Sequence, residues 1–184
     1  MAEQPRRQNP LGAVAAELSA ASSDTVRIVS GPFLAQINLR TSDAGLVPLT
    51  LPKIPNRVTN DGVWSAIWLG PDEWLLVGPD GAQEKQVETL RSVLKDVHAS
   101  VIDVSDSRAT LEVTGSKAAE ALAKGCALDL HESQFKPGQC AQTLLAKAQV
   151  ILERTGDGFR LYIRSSFARY LVAWLIEAMA EYKT

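Results

Sequence analysis

The densest set of side chains able to do chemistry is Asp103, Ser105, Asp106, Ser107 and Arg108, set between the apolar runs Val101-Ile102 and Ala109-Thr110-Leu111. An arginine in such a place offers a planar fork of donors that fits a carboxylate on a ligand or a neighbouring chain. The same residues also suit a turn in which Asp103 or Asp106 accepts from backbone amides and Arg108 pairs locally. A second basic group, Arg154, Arg164 and Arg169, surrounds the last hairpin and the start of the last helix. It reads either as a contact for an acidic partner surface or as a solvated basic edge. Trp174 belongs to an apolar stripe with Phe167, Tyr170, Leu171, Ala178 and Met179, whose aromatic content exceeds what one face of a small sheet needs. That stripe suits ordinary core, or packing against the other half or another chain. Arg108, Arg164, Arg169 and Trp174 are therefore the candidate interface residues.

The remaining reactive types are sparse. Cys126 and Cys140 lack the paired spacing of a zinc site or redox motif and read as small core residues. His98, expected in the last turn of a helix, would favour the negative end of its dipole. A Cys and His pairing of His131 with Cys126 or Cys140 in space has no sequence feature behind it. No glycine-rich dinucleotide fingerprint, phosphate loop or metal-spaced cluster occurs, so no residue is assigned as catalytic, cofactor-binding or metal-binding.

Composition narrows the classes further. A chain of 184 residues with 46% hydrophobic content can bury a substantial core, as one domain or two small ones sharing an interface. Its net charge of -2 and lack of a long basic run give no electrostatic footprint for nucleic acid. Apolar stretches are broken by Arg, Asp or Gly before they reach the ~20 residues needed to cross a bilayer. Glu17 and Ser19 interrupt the apolar stretch that a signal peptide would require. The expectation is a cytoplasmic protein without nucleic-acid or membrane partners, with residues 1–25 a mobile or partner-bound arm.

The elements that must hold these residues repeat at an offset of about 85 residues. Glu73-Trp74-Leu75-Leu76-Val77 and the helical run Val87, Leu90, Leu94 are echoed by Phe159-Arg160-Leu161-Tyr162-Ile163 and by Val172, Leu175, Met179. Val26 and Ile28 fall at the same offset on Leu111 and Val113, and Ala66 to Leu69 on Ile151 to Arg154. A period this long fits a duplicated unit better than a solenoid. Val26 to Val29 and the alternating Phe33 to Arg40 are expected to open the first sheet. Gly45, Pro48, Pro52 and Pro55 make the following segment a loop. Gly70-Pro71-Asp72 and Gly156-Asp157-Gly158 turn two hairpins. Ser116 is a plausible cap for a helix ending near Gly125. Trp64, Trp68 and Trp74 lie on adjacent strands, on faces that the register decides. The fold class is α+β: two tandem ferredoxin-like units, 26–104 and 105–184, with antiparallel sheets and helices on one face.

Val101-Ile102-Asp103-Val104-Ser105-Asp106-Ser107-Arg108-Ala109-Thr110-Leu111-Glu112-Val113-Thr114-Gly115 resembles the folate-binding aminomethyltransferase family, in its N-terminal part. The resemblance is closer to the gamma subunits of heterotetrameric sarcosine oxidases. It rests on Pro32 to Arg40, Trp68 to Gly78, Lys124 to His131, Gly138 to Ala146 and Phe159 to Tyr182, five segments in order over roughly residues 26–182. It implies membership of a complex that oxidatively demethylates sarcosine to glycine with tetrahydrofolate as one-carbon acceptor. FAD, FMN, NAD, zinc and tetrahydrofolate would then sit in the alpha, beta and delta partner subunits, and the gamma chain would have a structural, non-catalytic role. The alternative implied is a folate-binding module or an aminomethyl transferase. Active transferases place a Gly-Gly-Ile turn and an Asp pair after the strand equivalent to Thr143-Leu144-Leu145. This chain reads Ala146-Lys147-Ala148-Gln149 there, with no carboxylate to handle the proton of one-carbon transfer.

Overall fold

The computed structural model describes residues 8–183. It holds two five-stranded sheets, antiparallel throughout. In chain order the elements are α1 (Ala15–Ala21), β1 (Arg27–Ser30), β2 (Leu34–Thr41), β3 (Val58–Asn60), β4 (Ser65–Gly70), β5 (Glu73–Pro79), α2 (Gln83–Val93), β6 (Ala99–Asp103), β7 (Arg108–Thr114), α3 (Ala118–Ala123), β8 (Cys140–Leu145), β9 (Ala148–Arg154), β10 (Gly158–Arg164) and α4 (Ala168–Met179). One sheet runs β3-β4-β5-β2-β6 and the other β8-β9-β10-β7-β1. Read this way, the two orders superpose. Leu39 stands opposite Trp74 as Val113 stands opposite Phe159, and Ile37 opposite Leu76 as Leu111 opposite Leu161.

The duplication is therefore present, but its ends are exchanged. The strand at 27–30, expected to open the first sheet, lies at the edge of the other sheet, beside β7. Ile28 is the cross-strand partner of Val113, not its repeat equivalent. Both are buried in one core, and that shared environment suits an apolar β-branched side chain at each position. The position that β6 fills in the first sheet is filled in the second by β1, from the opposite end of the chain. Two short crossovers result, 31–33 and 104–107, and their backbones mirror one another. Gly31 N–H donates to Thr110 O at 2.9 Å, and Val104 N–H donates to Gln36 O at 2.8 Å.

Alternation along each strand sorts side chains between two faces. One face of the β3-to-β6 sheet carries Ala35, Ile37, Leu39, Trp64, Ala66, Trp74 and Leu76 under α2 residues Val87 and Leu90. All three tryptophans expected on the first hairpin lie on this side, Trp68 partly buried. The Trp74 indole N–H finds Pro52 O at 3.0 Å. On the other sheet Leu111, Val113, Leu152, Phe159 and Leu161 pack beneath Leu171, Val172, Leu175 and Met179 of α4. The opposite faces meet through Ile67, Leu75 and Val77 against Cys140, Ile151 and Tyr162. The helices thus form outer layers around two sheets that touch.

The segment expected as a mobile or partner-bound arm packs on its own chain within residues 8–25. Leu11, Leu18 and Ala21 are buried beside β1 and α4. An apolar stripe of that size is sequestered by the core available to it, with about 1.5–3 kcal/mol per large side chain favouring burial. Helix α2 ends at Val93, so His98 lies just before β6 rather than in a last helical turn. Ser116 makes no side-chain cap at α3, which begins behind Lys117.

Candidate functional site

The crossover 104–107 accounts for most of the polar cluster that surrounds it. Asp103 Oδ1 accepts from the Ser105 amide at 2.9 Å and from its hydroxyl, and Ser105 Oγ accepts from Gln36 N–H at 2.9 Å. Ser107 N–H returns to Val104 O, and Ser165 N–H binds Ser107 O at 3.0 Å. Asp103 and Ser105 are thereby fixed as turn chemistry, satisfying amides that burial would otherwise leave costly. Gln36, almost fully buried, donates from Nε2 to Arg108 O at 3.1 Å, so one half of the fold holds the strand start of the other.

Arg108 points elsewhere. It begins β7 directly opposite Arg164, the last residue of β10. Both line a cleft of ≈ 330 Å³ on the sheet face away from the helices, with Gln142, Leu144, Gln149, Ile151 and Tyr162 around them. Neither guanidinium has a carboxylate within ion-pair distance among the described residues. The Arg108 pKa lies below the ordinary arginine value, first through burial and then through the like charge of Arg164, with Glu73 opposing. Glu73 itself is engaged by Asn38 Nδ2 at 2.8 Å and by Arg40.

The structure brings together only these two of the four candidates. Arg169 is exposed at a separate cleft beside Gln8, Asn9 and Pro10. Trp174 is half-buried against the second core, over Gly125, where a Cβ would fall 2.5 Å from its ring. Arg154 turns back on its own hairpin, donating to Gly158 O at 2.8 Å and lying 4.6 Å from the Phe159 ring centroid.

A second constellation escaped sequence reasoning. Glu112, Arg160, Glu153 and Cys140 stand in one cross-strand row on β7, β10, β9 and β8. Arg160 donates to Glu112 Oε1 at 2.9 and 3.3 Å and lies 3.8 Å from Glu153 Oε2, which also accepts the Tyr162 hydroxyl at 2.8 Å. Glu153 is 8% exposed, and burial raises its pKa against the opposing effects of the Tyr162 hydrogen bond and Arg160. The Cys140 thiol is pushed up to about 11, chiefly by burial and then by Glu153. Such a thiol is a packing group rather than a nucleophile. His131 bonds Ser133 and Asp129, not a cysteine. Among the described residues no cluster of three or more His, Cys, Asp or Glu could hold a metal ion.

At the tip of the β8-β9 hairpin, Ala146 takes a left-handed φ of 52°. Its N–H donates to Gly125 O at 2.9 Å, and the Lys147 N–H meets Tyr170 Oη at 3.3 Å. The turn is packed against its own chain.

The exchanged duplication with helices outside two touching sheets is a fold found within the aminomethyltransferases, over about half of one such chain. The structure superposes on the glycine cleavage system aminomethyltransferase T from Bartonella henselae with a TM-score of 0.63 and 17% identity, covering 91% of this chain and 49% of that one. An aminomethyltransferase of Acidobacterium capsulatum is 32% identical over 120 residues, 60% of this chain and 31% of that protein. The model of the sarcosine oxidase, gamma subunit family matches residues 42–181, and the chain belongs to that family. The sarcosine oxidase subunit gamma of Corynebacterium sp. strain U-96 is 36% identical over 178 residues, covering 91% of this chain and 85% of that protein. A solved structure of heterotetrameric sarcosine oxidase from Corynebacterium sp. U-96 contains a chain matching with a TM-score of 0.89 and 31% identity over 97% of both chains.

Proposed function

We propose that this chain is the non-catalytic gamma subunit of a heterotetrameric sarcosine oxidase, which oxidatively demethylates sarcosine to glycine with tetrahydrofolate as one-carbon acceptor. The observation carrying this reading is the match over 97% of both chains to a member of such an assembly. Its partners on this reading are the alpha, beta and delta subunits, and FAD, FMN, NAD, zinc and tetrahydrofolate reside in them. The setting is cytoplasmic. No helix among the described residues is long and apolar enough to cross a membrane.

The chain's own groups support a packing role over chemistry. The most buried carboxylate among the described residues, Glu153, is closed in by Tyr162 and Arg160, and the β8-β9 turn carries no carboxylate. These residues do not fit a folate site that manages a proton. Co-expression with the three partner chains, with and without this one, tests the reading. Omission is expected to lower flavin loading and the yield of the assembly. Unchanged assembly and turnover would refute a structural role, and tetrahydrofolate binding by the isolated chain at micromolar affinity would favour a folate-binding module instead.

A further inference from the structure

The duplication supplies an internal control for the arginine pair. Superposing the sheets by register places Leu34 on Arg108, Pro79 on Arg164, Val77 on Tyr162 and Ser65 on Ile151. In the first sheet the corresponding positions, Leu34 and Pro79, line a cleft of ≈ 280 Å³ with Val63 and Val77, closed on its far side by Glu112 and Arg160 of the second sheet. The fold therefore accepts an apolar cross-strand pair at this position. In the second sheet it carries two cations directly opposite one another, an arrangement that destabilises a sheet. Glu73, whose charge opposes that of Arg164 at Arg108, is already shared by Asn38 and Arg40.

We propose that Arg108 and Arg164 form the seat for a carboxylate on an acidic, extended segment of a partner subunit, which lies across the end of this sheet face that the first sheet leaves uncovered. The inference rests on the subunit reading above. A protein segment fits better than a small anion for two reasons. Leu144, 53% exposed, sits in the same cleft and gains only from a partner that covers it. An anion in a cleft open to water gains little from a guanidinium as exposed as that of Arg164, whereas one covered by a partner keeps bidentate, charge-assisted bonds. Between its end bridges, Gln139 with Arg57 and Leu145 with Cys126, the adjoining edge of β8 can also receive a short extended segment. Arg154 N–H pairs with Gln139 O and Cys140 N–H with Asn56 O, so ladder alternation turns the Gln142 and Leu144 amides away from β9.

Two measurements test this. In the first, the full chain, free and in the co-expressed tetramer, is treated with phenylglyoxal and Arg164 is followed by peptide mass. Arg164 is expected to react in the free chain and to be protected at least ~10-fold in the assembly. Equal modification overturns the proposal, as does equal protection of the free chain by 10 mM glutarate, which would make the occupant a small carboxylate. In the second, the double variant Arg108→Leu, Arg164→Leu copies the residue character of the first sheet. Its isolated melting temperature is expected to equal or exceed that of the parent, while its affinity for the partner chains falls at least ~10-fold. A variant that assembles like the parent, or one whose melting temperature drops, overturns the proposal while leaving the subunit reading intact. A parent chain that enters no complex removes both.

Discussion

Glu153 is held between a hydroxyl and a guanidinium on a strand face that meets a second sheet, and burial raises its pKa above the ordinary 4.5. A carboxyl whose folded value exceeds its unfolded value supports folding fully below pH 4.5 and loses that contribution as pH rises through the folded value. Glu153→Gln removes the titration while keeping an acceptor for Tyr162. Its stability relative to the parent should therefore improve as pH rises above 4.5 in urea titrations, and a difference independent of pH would contradict the assignment. Glu153→Ala instead leaves the Tyr162 hydroxyl unpaired and should cost about 1–3 kcal/mol. With its thiol near 11, Cys140 should resist N-ethylmaleimide at pH 8, where roughly one part in a thousand is thiolate, and label only on unfolding. Labelling of the native chain at the rate of a free thiol would show the site to be open. The turn role of Asp103 was readable in the sequence because Asx chemistry is local. The row of Glu112, Arg160 and Glu153 was not, since alternation says that these residues oppose the helix and does not say whether water or another sheet lies there.

At the level of elements, the two hairpins and their following helices were readable from period-2 and period-3.6 patterns, and Val87, Leu90, Leu175 and Met179 all point inward as those patterns require. Strand partners were less accessible. Val26 to Val29 announces a strand, but its neighbour is chosen by tertiary fit, and β1 left its sequence neighbour β2 for β7. Helix α1 was missed as a packed element because its stripe is short and interrupted by Glu17 and Ser19, both of which the structure leaves exposed. Leu18→Ala should consequently lower stability by about 2–4 kcal/mol in chemical denaturation, the range for a buried leucine whose site cannot collapse. A loss below 0.5 kcal/mol would mean that α1 is not part of the core. Gly115 closes β7 with φ of 106°, and a Cβ there would lie 2.4 Å from Thr25 O. Gly115→Ala should cost about 1–3 kcal/mol, and a neutral effect would refute the close approach of the β1 and β7 ends.

On the scale of the whole molecule, residues 34–103 hold every strand of the first sheet, yet Ile67, Leu75 and Val77 on its inner face are covered by the other sheet. A fragment of those residues should keep its hairpin but bind 8-anilinonaphthalene-1-sulfonate and self-associate, whereas a monodisperse fragment that binds no dye would show the sheets to be independent. The exchange of β1 into the second sheet also sets an order of events on the ribosome. β1 is made first, but its docking site on β7 follows about eighty residues later, a wait of roughly 4 to 16 s at ~5–20 residues per second. Throughout that interval the nascent chain carries an unpaired strand beside a sheet already able to close, and the amino-terminal end must remain unsnared until synthesis passes Thr114.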